Sequence, residues 1–238
     1  MWRMVLACVL MLLPGTPSRA QSIIRLARIA EIPDQYVGGE ILRVVYGRLN
    51  IAVEFVDVPG KRALVLSSAG ELDGEVHRIA NLARDYPTLL QISPPINYIE
   101  PSVFTTTLRF EVRGWSSIKD YGIGIVRGVG SSEAGTRGMA NVTAAASLEN
   151  MIRMLDANRF DLMVTDLFSG RVAVRKLNLQ SRIQPLSPPL EKISIYHYLH
   201  ERHRDLARKV EAVIRDMEAS GELARLRETL VKQVLDGP

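Results

Sequence analysis

Three stretches carry residue types able to grip a charged solute. Glu75, His77 and Arg78 stand almost side by side, and Thr165 is followed directly by Asp166. An arginine can fork a carboxylate with two parallel N–H bonds, and a carboxylate in a water-poor cleft can hold an ammonium. The third stretch, Gly128-Val-Gly-Ser-Ser132, is rich in glycine and serine and holds Gly128, Gly130, Ser131 and Ser132. Tyr36, an aromatic after the first strand, and Arg62, a further cation, complete the candidates. His197, His200 and His203 are the one constellation that hints at metal, since an i, i+3 pair on a helix suits zinc. His197 falls in a stretch that reads as strand, however, and Glu201, Arg202 and Arg204 make the rest a charged element start. No metal and no cofactor is therefore expected. Nucleotide loops and nucleophile elbows are absent from the sequence, and Glu75 with His77 is the only pair suited to acid–base work, so catalysis is not expected.

The elements that must position these groups are marked by an echo. Ala69-Gly-Glu-Leu-Asp-Gly-Glu-Val76 returns as Ala157-Asn-Arg-Phe-Asp-Leu-Met-Val164. In each copy Gly or Asn stands where a helix ends in a left-handed turn, and an apolar residue and Asp then open a strand. Helical spacing is predicted over 39–49, 61–69, 78–86, 148–157, 169–177 and 205–234, the last broken near Gly221. Strands are predicted over 23–30, 51–58, from 73, around 89–92 and 102–107, over 122–126, from 161, over 183–186 and over 193–199. Helices alternating with short apolar strands predict an α/β architecture with largely parallel sheets. The repeated unit predicts two lobes and a cleft between them.

Bulk properties narrow the class further. Arg3 precedes an unbroken apolar run from Met4 to Leu13, then Pro14-Gly15 and Ser18-Arg19-Ala20, the pattern of a secretory signal over residues 1–20 cleaved after Ala20. Such a run is too short to span a bilayer, which takes about 20 residues. Removing it takes away Cys8, the only cysteine, so the exported chain must be held by its core and not by disulfides. It also lowers the formal charge of +4 by two, leaving no basic block, and nucleic acid is not an expected partner.

Four segments together carry a resemblance. Leu155-Asp-Ala-Asn-Arg-Phe-Asp-Leu-Met-Val-Thr-Asp166, the glycine-rich stretch 122–132, Gly70-Glu-Leu-Asp-Gly74 and Ser220-Gly221-Glu222-Leu223 resemble, in order and spacing, the family 3 extracellular solute-binding proteins. These are the polar amino-acid receptors of ABC importers. The resemblance implies a type II periplasmic-binding-protein-like fold: two lobes, each a mainly parallel sheet flanked by helices, joined by two hinge crossings. It places residues 21–110 and 191–238 in the first lobe and 111–190 in the second. It further implies a periplasmic monomer that captures a small polar or anionic solute and delivers it to an inner-membrane ABC permease. Asp166 would hold the ligand ammonium, 128–132 at a helix start would supply donors to its carboxylate, and Tyr36 would stack on the ligand. The first lobe departs from the pattern: the family's Thr-x-x-Arg is missing, and Arg78 stands in as the candidate guanidinium. A receptor for a separate membrane signalling partner, or a periplasmic dehydratase on the same fold, are the alternatives.

Overall fold

The computed structural model describes residues 23–80 and 82–236. The expected signal segment lies outside the described residues. The chain opens with β1 (Ile23–Ile29), α1 (Pro33–Gly47), β2 (Ala52–Val58), α2 (Gly60–Ser68) and β3 (Gly74–Ile79). A 3₁₀ turn at Leu82–Arg84 leads to β4 (Leu89–Gln91), β5 (Asn97–Ile99) and β6 (Pro101–Thr105). After a second such turn at Trp115–Ile118 come β7 (Ile123–Val126), α3 (Gly130–Gly135), β8 (Val142–Ala145), α4 (Leu148–Asp156) and β9 (Leu162–Asp166). α5 (Leu167–Lys176), β10 (Gln184–Pro185), β11 (Ile193–His200), α6 (Arg204–Ala219) and α7 (Glu222–Asp236) finish the chain. Among the described residues, no helix is long and apolar enough to cross a membrane.

Two sheets result, ordered β2-β1-β3-β11-β4, with β5 also on β11, and β10-β6-β9-β7-β8. Both are mixed, not mainly parallel. β1 runs parallel to β2 and β3, whereas β11 is antiparallel to β3, β4 and β5. β7 is parallel to β8 and β9, while β6 is antiparallel to β9 and β10. The cause is the double crossing: the strands that carry the chain between sheets enter each one against the direction of its βαβ units. The first crossing also comes earlier than residue 110. It falls at Glu100, because β6 pairs with β9 from Pro101↔Asp166 onward and belongs to the second sheet. Every residue of β6 is buried, as an inner strand requires, but nothing local in the sequence says which sheet receives it.

The echoed octets are equivalent in structure. Asp73 N donates to Arg25 O at 2.8 Å while its Oδ2 accepts from Arg25 N at 2.7 Å. Asp161 repeats this with Gly122, at 2.9 Å and 2.6 Å. Each aspartate therefore fastens the start of its strand to the neighbouring strand. The helix stops are as predicted, with Gly70 at φ 75° and Asn158 at φ 53°.

Two differences bear on the site. α1 begins at Pro33, not Gly39; proline is suited to the first helical position because its missing N–H would be unpaired there anyway. The stretch 78–86 is not a helix: β3 continues through Ile79, held by Arg78↔Tyr196 and Ile79↔Ile195 in β11, and only a short 3₁₀ turn follows. Cross-strand pairing outweighs the local helical spacing there. The first core gathers Leu26, Ile41, Leu42, Tyr46, Val210 and Ile214, all fully buried. Ile29 and Ile32 instead join the second core, with Phe104, Val126 and Met151, so the lobes touch through apolar contacts. Gly38 lets α1 lie on His77, since a Cβ there would stand 2.2 Å from His77 Cδ2. Gly38→Ala should therefore destabilise the protein by about 1–3 kcal/mol through overpacking. Urea unfolding checks this, and an unchanged midpoint would mean that α1 does not press on the ring.

Candidate functional site

Between the sheets lies a cavity of about 580 Å³ lined from both lobes. Its walls include Ile29, Ile79, Ile99 and Ile195, so it is apolar in part, with polar groups set into it. Such volume and lining fit a small-molecule site.

The hinge side holds two carboxylates. Asp34, in the first turn of α1, is 3% exposed. Its Oδ1 accepts from Asn97 Nδ2 at 2.8 Å, and its Oδ2 lies 3.2 Å from His77 Nε2. Asp166 comes from the second lobe. Its Oδ1 accepts from Glu100 N and its Oδ2 from Ser169 N, each at 2.9 Å, so it caps α5 and ties β9 to the crossing. Burial, and next the charge of Asp34, push the Asp166 carboxyl up to about 6, against the pull of its two backbone bonds.

His77 offers Asp34 no charge compensation. Gln35 Oε1 accepts from Ile29 N at 3.2 Å, which turns Gln35 Nε2 toward His77 O and His77 Nδ1, each at 3.2 Å. His77 Nδ1 thus accepts, the ring proton sits on Nε2, and the contact with Asp34 is a hydrogen bond. No lysine or arginine pairs with Asp34 or Asp166 among the described residues.

Arg78 has another task than the one expected of it. Its Nε donates to Glu75 Oε2 at 2.9 Å, its Nη1 to Gly128 O at 3.2 Å and its Nη2 to Gly60 O at 3.0 Å. Gly60 opens α2 in the first lobe and Gly128 follows β7 in the second, so one guanidinium joins the lobes. With every nitrogen committed, a two-pronged grip on a ligand carboxylate would require breaking this brace. The two loops also touch directly: a Cβ on Gly60 would lie 2.5 Å from Gly128 O, and Gly128 itself has φ 83°. Lys61 and Glu133, 3.4 Å apart, add an ion pair across the same seam. Glu75 is fully buried, and its other oxygen, Oε1, has no hydrogen-bond partner among the described residues. Burial raises its pKa, opposed by Arg78.

The remaining expected residues divide. Gly128, Gly130, Ser131, Thr165, His77, Arg78 and Asp166 line the cavity; Tyr36, Arg62, Glu75 and Ser132 do not. Starting α1 at Pro33 turns Asp34 and Gln35 inward and Tyr36 outward, where its ring lies under the Arg28 guanidinium at 3.8 Å. Arg62 is exposed on α2. Ser132 Oγ donates to Val164 O at 3.4 Å, and Gly128 N donates to Glu133 Oε1 at 2.9 Å, so neither group is free for an anion. Ser131 and Thr165 are 5% and 4% exposed, and their hydroxyls make no hydrogen bond among the described residues. Asp34, Gln35, Arg84 and Arg137 also line the cavity and escaped the sequence reading. For Asp34 a signal existed: it stands just beyond the end of a strand, where α/β sites collect.

The histidine cluster is dispersed. His197 is fully buried in β11, with Nδ1 2.7 Å from Glu75 O and Nε2 2.8 Å from Tyr46 Oη; burial lowers its pKa to about 4. His200 Nδ1 accepts from Arg202 N, and His203 pairs with Asp73 at 2.7 Å.

Comparison with solved structures then fixes the fold. A histidine kinase sensor domain with similarity to periplasmic binding proteins superposes with a TM-score of 0.74, at 15% identity over 88% of this chain and 96% of that one. The fold is that of the type II periplasmic binding proteins. A mutant of ArgBP from T. maritima gives 0.73 at 15% identity over 89% and 96%. The substrate-binding protein of an amino acid ABC transporter gives 0.71 at 16% over 89% and 100%. In sequence, an uncharacterized protein of Shewanella oneidensis is 24% identical over 177 residues, 72% of this chain and 67% of that one. No family model matches the chain.

Two predictions follow from the charges. Folded Asp166 titrates near 6, above the ordinary carboxylate value of 3.8, so between those values the folded protein holds a proton that the unfolded chain has lost. Stability of the ligand-free protein is present in full below the lower value and falls as pH rises through the upper one, by up to about 3 kcal/mol. Asp166→Asn removes the charge but leaves only one oxygen for the two backbone donors Glu100 N and Ser169 N, so its mark should be a flattened stability profile between pH 4 and 6 and not a gain in absolute stability. An unchanged slope between pH 4 and 6 would show that the charge carries no such cost. Arg78→Leu leaves Glu75 buried without its partner and should cost about 3–5 kcal/mol, whereas the double variant with Glu75→Leu should lose much less. Equal losses in chemical denaturation would contradict the pairing.

Proposed function

We propose that the protein captures a small polar solute in the interlobe cavity and presents the closed, loaded state to a partner in the inner membrane. The observation that carries this reading is a cavity walled by both lobes, with Asp34, Ser131, Thr165 and Asp166 set into a partly apolar lining. Polar groups that face such a cavity can exchange water for a solute that pairs with them. Contacts from both lobes let a ligand favour the closed form over the open one. The bonds from Arg78 to Gly60 O and Gly128 O join the two lobes and would add to such a closed form.

An ABC permease in a periplasmic setting is the proposed partner, supported by the motif resemblance and by the similarity to an amino acid transporter's binding protein. Reporting to a signalling protein is the second reading, favoured by the similarity to a kinase sensor domain. Acid–base catalysis is the weakest of the three, because Glu75 lies off the cavity and His77 Nε2 is engaged by Asp34. A screen of small metabolites by thermal shift should find one chemical class that raises Tm, by several degrees at 100 times Kd. A broad screen without any stabilising compound would refute solute capture, and turnover of a stabilising compound would move the reading to an enzyme.

A further inference from the structure

We propose that the groove between α7 and the hinge strand β5 is a second ligand site, separate from the interlobe cavity, that takes an amphiphilic anion: a carboxylate or phosphate on an apolar body. This site stands whether or not the cavity captures a solute.

Three observations converge. The first is shape and lining. The groove has a volume of about 420 Å³ and shares no wall residue with the cavity. Neighbours in a strand point to opposite faces, so Ile99 lines the cavity while Tyr98 lines the groove. Tyr98, Ala224, Val231 and Leu235 give the groove an apolar floor. An alkyl or aryl body gains by leaving water for such a lining.

The second is charge. Arg227 and Lys232 stand in the groove beside one acid, Glu228. Lys192 Nζ lies 3.7 Å from the centroid of the Tyr98 ring, and the Arg227 guanidinium carbon lies 3.7 Å from it as well. None of these three cations pairs with a carboxylate among the described residues. Arg227 spends Nε on Asn97 Oδ1 and Nη2 on Tyr98 O, the latter at 3.4 Å, while Nη1 meets no acceptor among the described residues. A guanidinium with amide and carbonyl partners keeps its charge unmatched, and a carboxylate or phosphate is the group its planar fork suits.

The third is position. Tyr98 stands just before the crossing at Glu100, and Lys192 just before β11 on the return crossing, so the groove touches both segments that join the lobes. Asn97 accepts from Arg227 and donates to Asp34 Oδ1, in the cavity, at 2.8 Å. An anion that draws on Arg227 therefore bears on the hinge strand and, through Asn97, on a carboxylate of the cavity.

The test uses the purified protein and isothermal titration at pH 7.5 with octanoate, octyl phosphate, octylammonium and octanol, joined to amide hydrogen exchange. At least one of the two anions is expected to bind more tightly than octylammonium and octanol, by about tenfold or more. The bound anion should slow exchange over residues 97–100 and 224–235 and leave 128–134, on the cavity wall, unchanged. Lys192→Glu combined with Lys232→Glu, both at exposed positions, should weaken the anion by about tenfold or more and leave the fold intact. The comparison among the four compounds in the unaltered protein stands even if the variant fails to fold. Vesicles of phosphatidylglycerol distinguish the source: an anion that binds alongside vesicle sedimentation assigns the site to a lipid, and one that binds without it to a free amphiphile. Octylammonium or octanol binding as tightly as the anions would overturn the inference. So would unchanged anion affinity in the folded double variant, protection confined to the cavity wall, or no binding of either anion.

Discussion

The contact between the lobes turns on one buried guanidinium. Arg78 leaves the middle of the first sheet, takes its charge balance from Glu75 in the same strand, and spends its other nitrogens on a carbonyl from each lobe. A buried ion pair of this kind adds little to net stability over apolar packing, but it is costly to break and demanding in geometry. Its consequence here is positional. With Gly60 and Gly128 drawn together, Lys61 meets Glu133, the start of α3 is fixed against α2, and Lys61, Gly128 and Glu133 stand in the wall of the cavity.

Behind that seam the charge runs the other way. The first turn of α1 brings Asp34, and the last residue of β9 brings Asp166, to the side where the chain crosses at Glu100. Each is anchored by backbone or amide donors that serve a structural end: Asn97 ties Asp34 to β5, and Asp166 starts α5. The same contacts leave the charge itself unmatched, and the elevated pKa of Asp166 is its signature. A site with a satisfied hydrogen-bond network and an unsatisfied charge is rigid before its ligand arrives, which lowers the cost of binding.

Much of the frame was legible. The echoed octets marked two strand starts and two helix stops, and Asp73 and Asp161 proved to make the same reciprocal bonds to the neighbouring strand. Local chemistry suffices for such features, because a left-handed helix stop or a strand-opening aspartate depends on residues close in sequence. Asp166 was legible for the same reason: it stands where a strand gives way to a helix. What misled were features decided at a distance. Arg78 reads as a ligand arginine until β11 extends β3 past it and Glu75 takes its charge. Tyr36 reads as a stacking residue until Pro33 starts the helix early and turns it outward.

The sequence by itself determined that the chain builds two α/β units with strands opening toward a shared cleft, since periodicity, caps and turn residues act within a few positions. It also determined which chemical groups stand near those strand ends. Only the tertiary structure decided which of them remain free. Arg78, Glu75 and Ser132 are consumed by partners up to 50 residues away, while Ser131, Thr165 and the charges of Asp34 and Asp166 are left without a match. Satisfaction of a polar group depends on what the fold carries to it through space, and no reading of its neighbours in the chain contains that information.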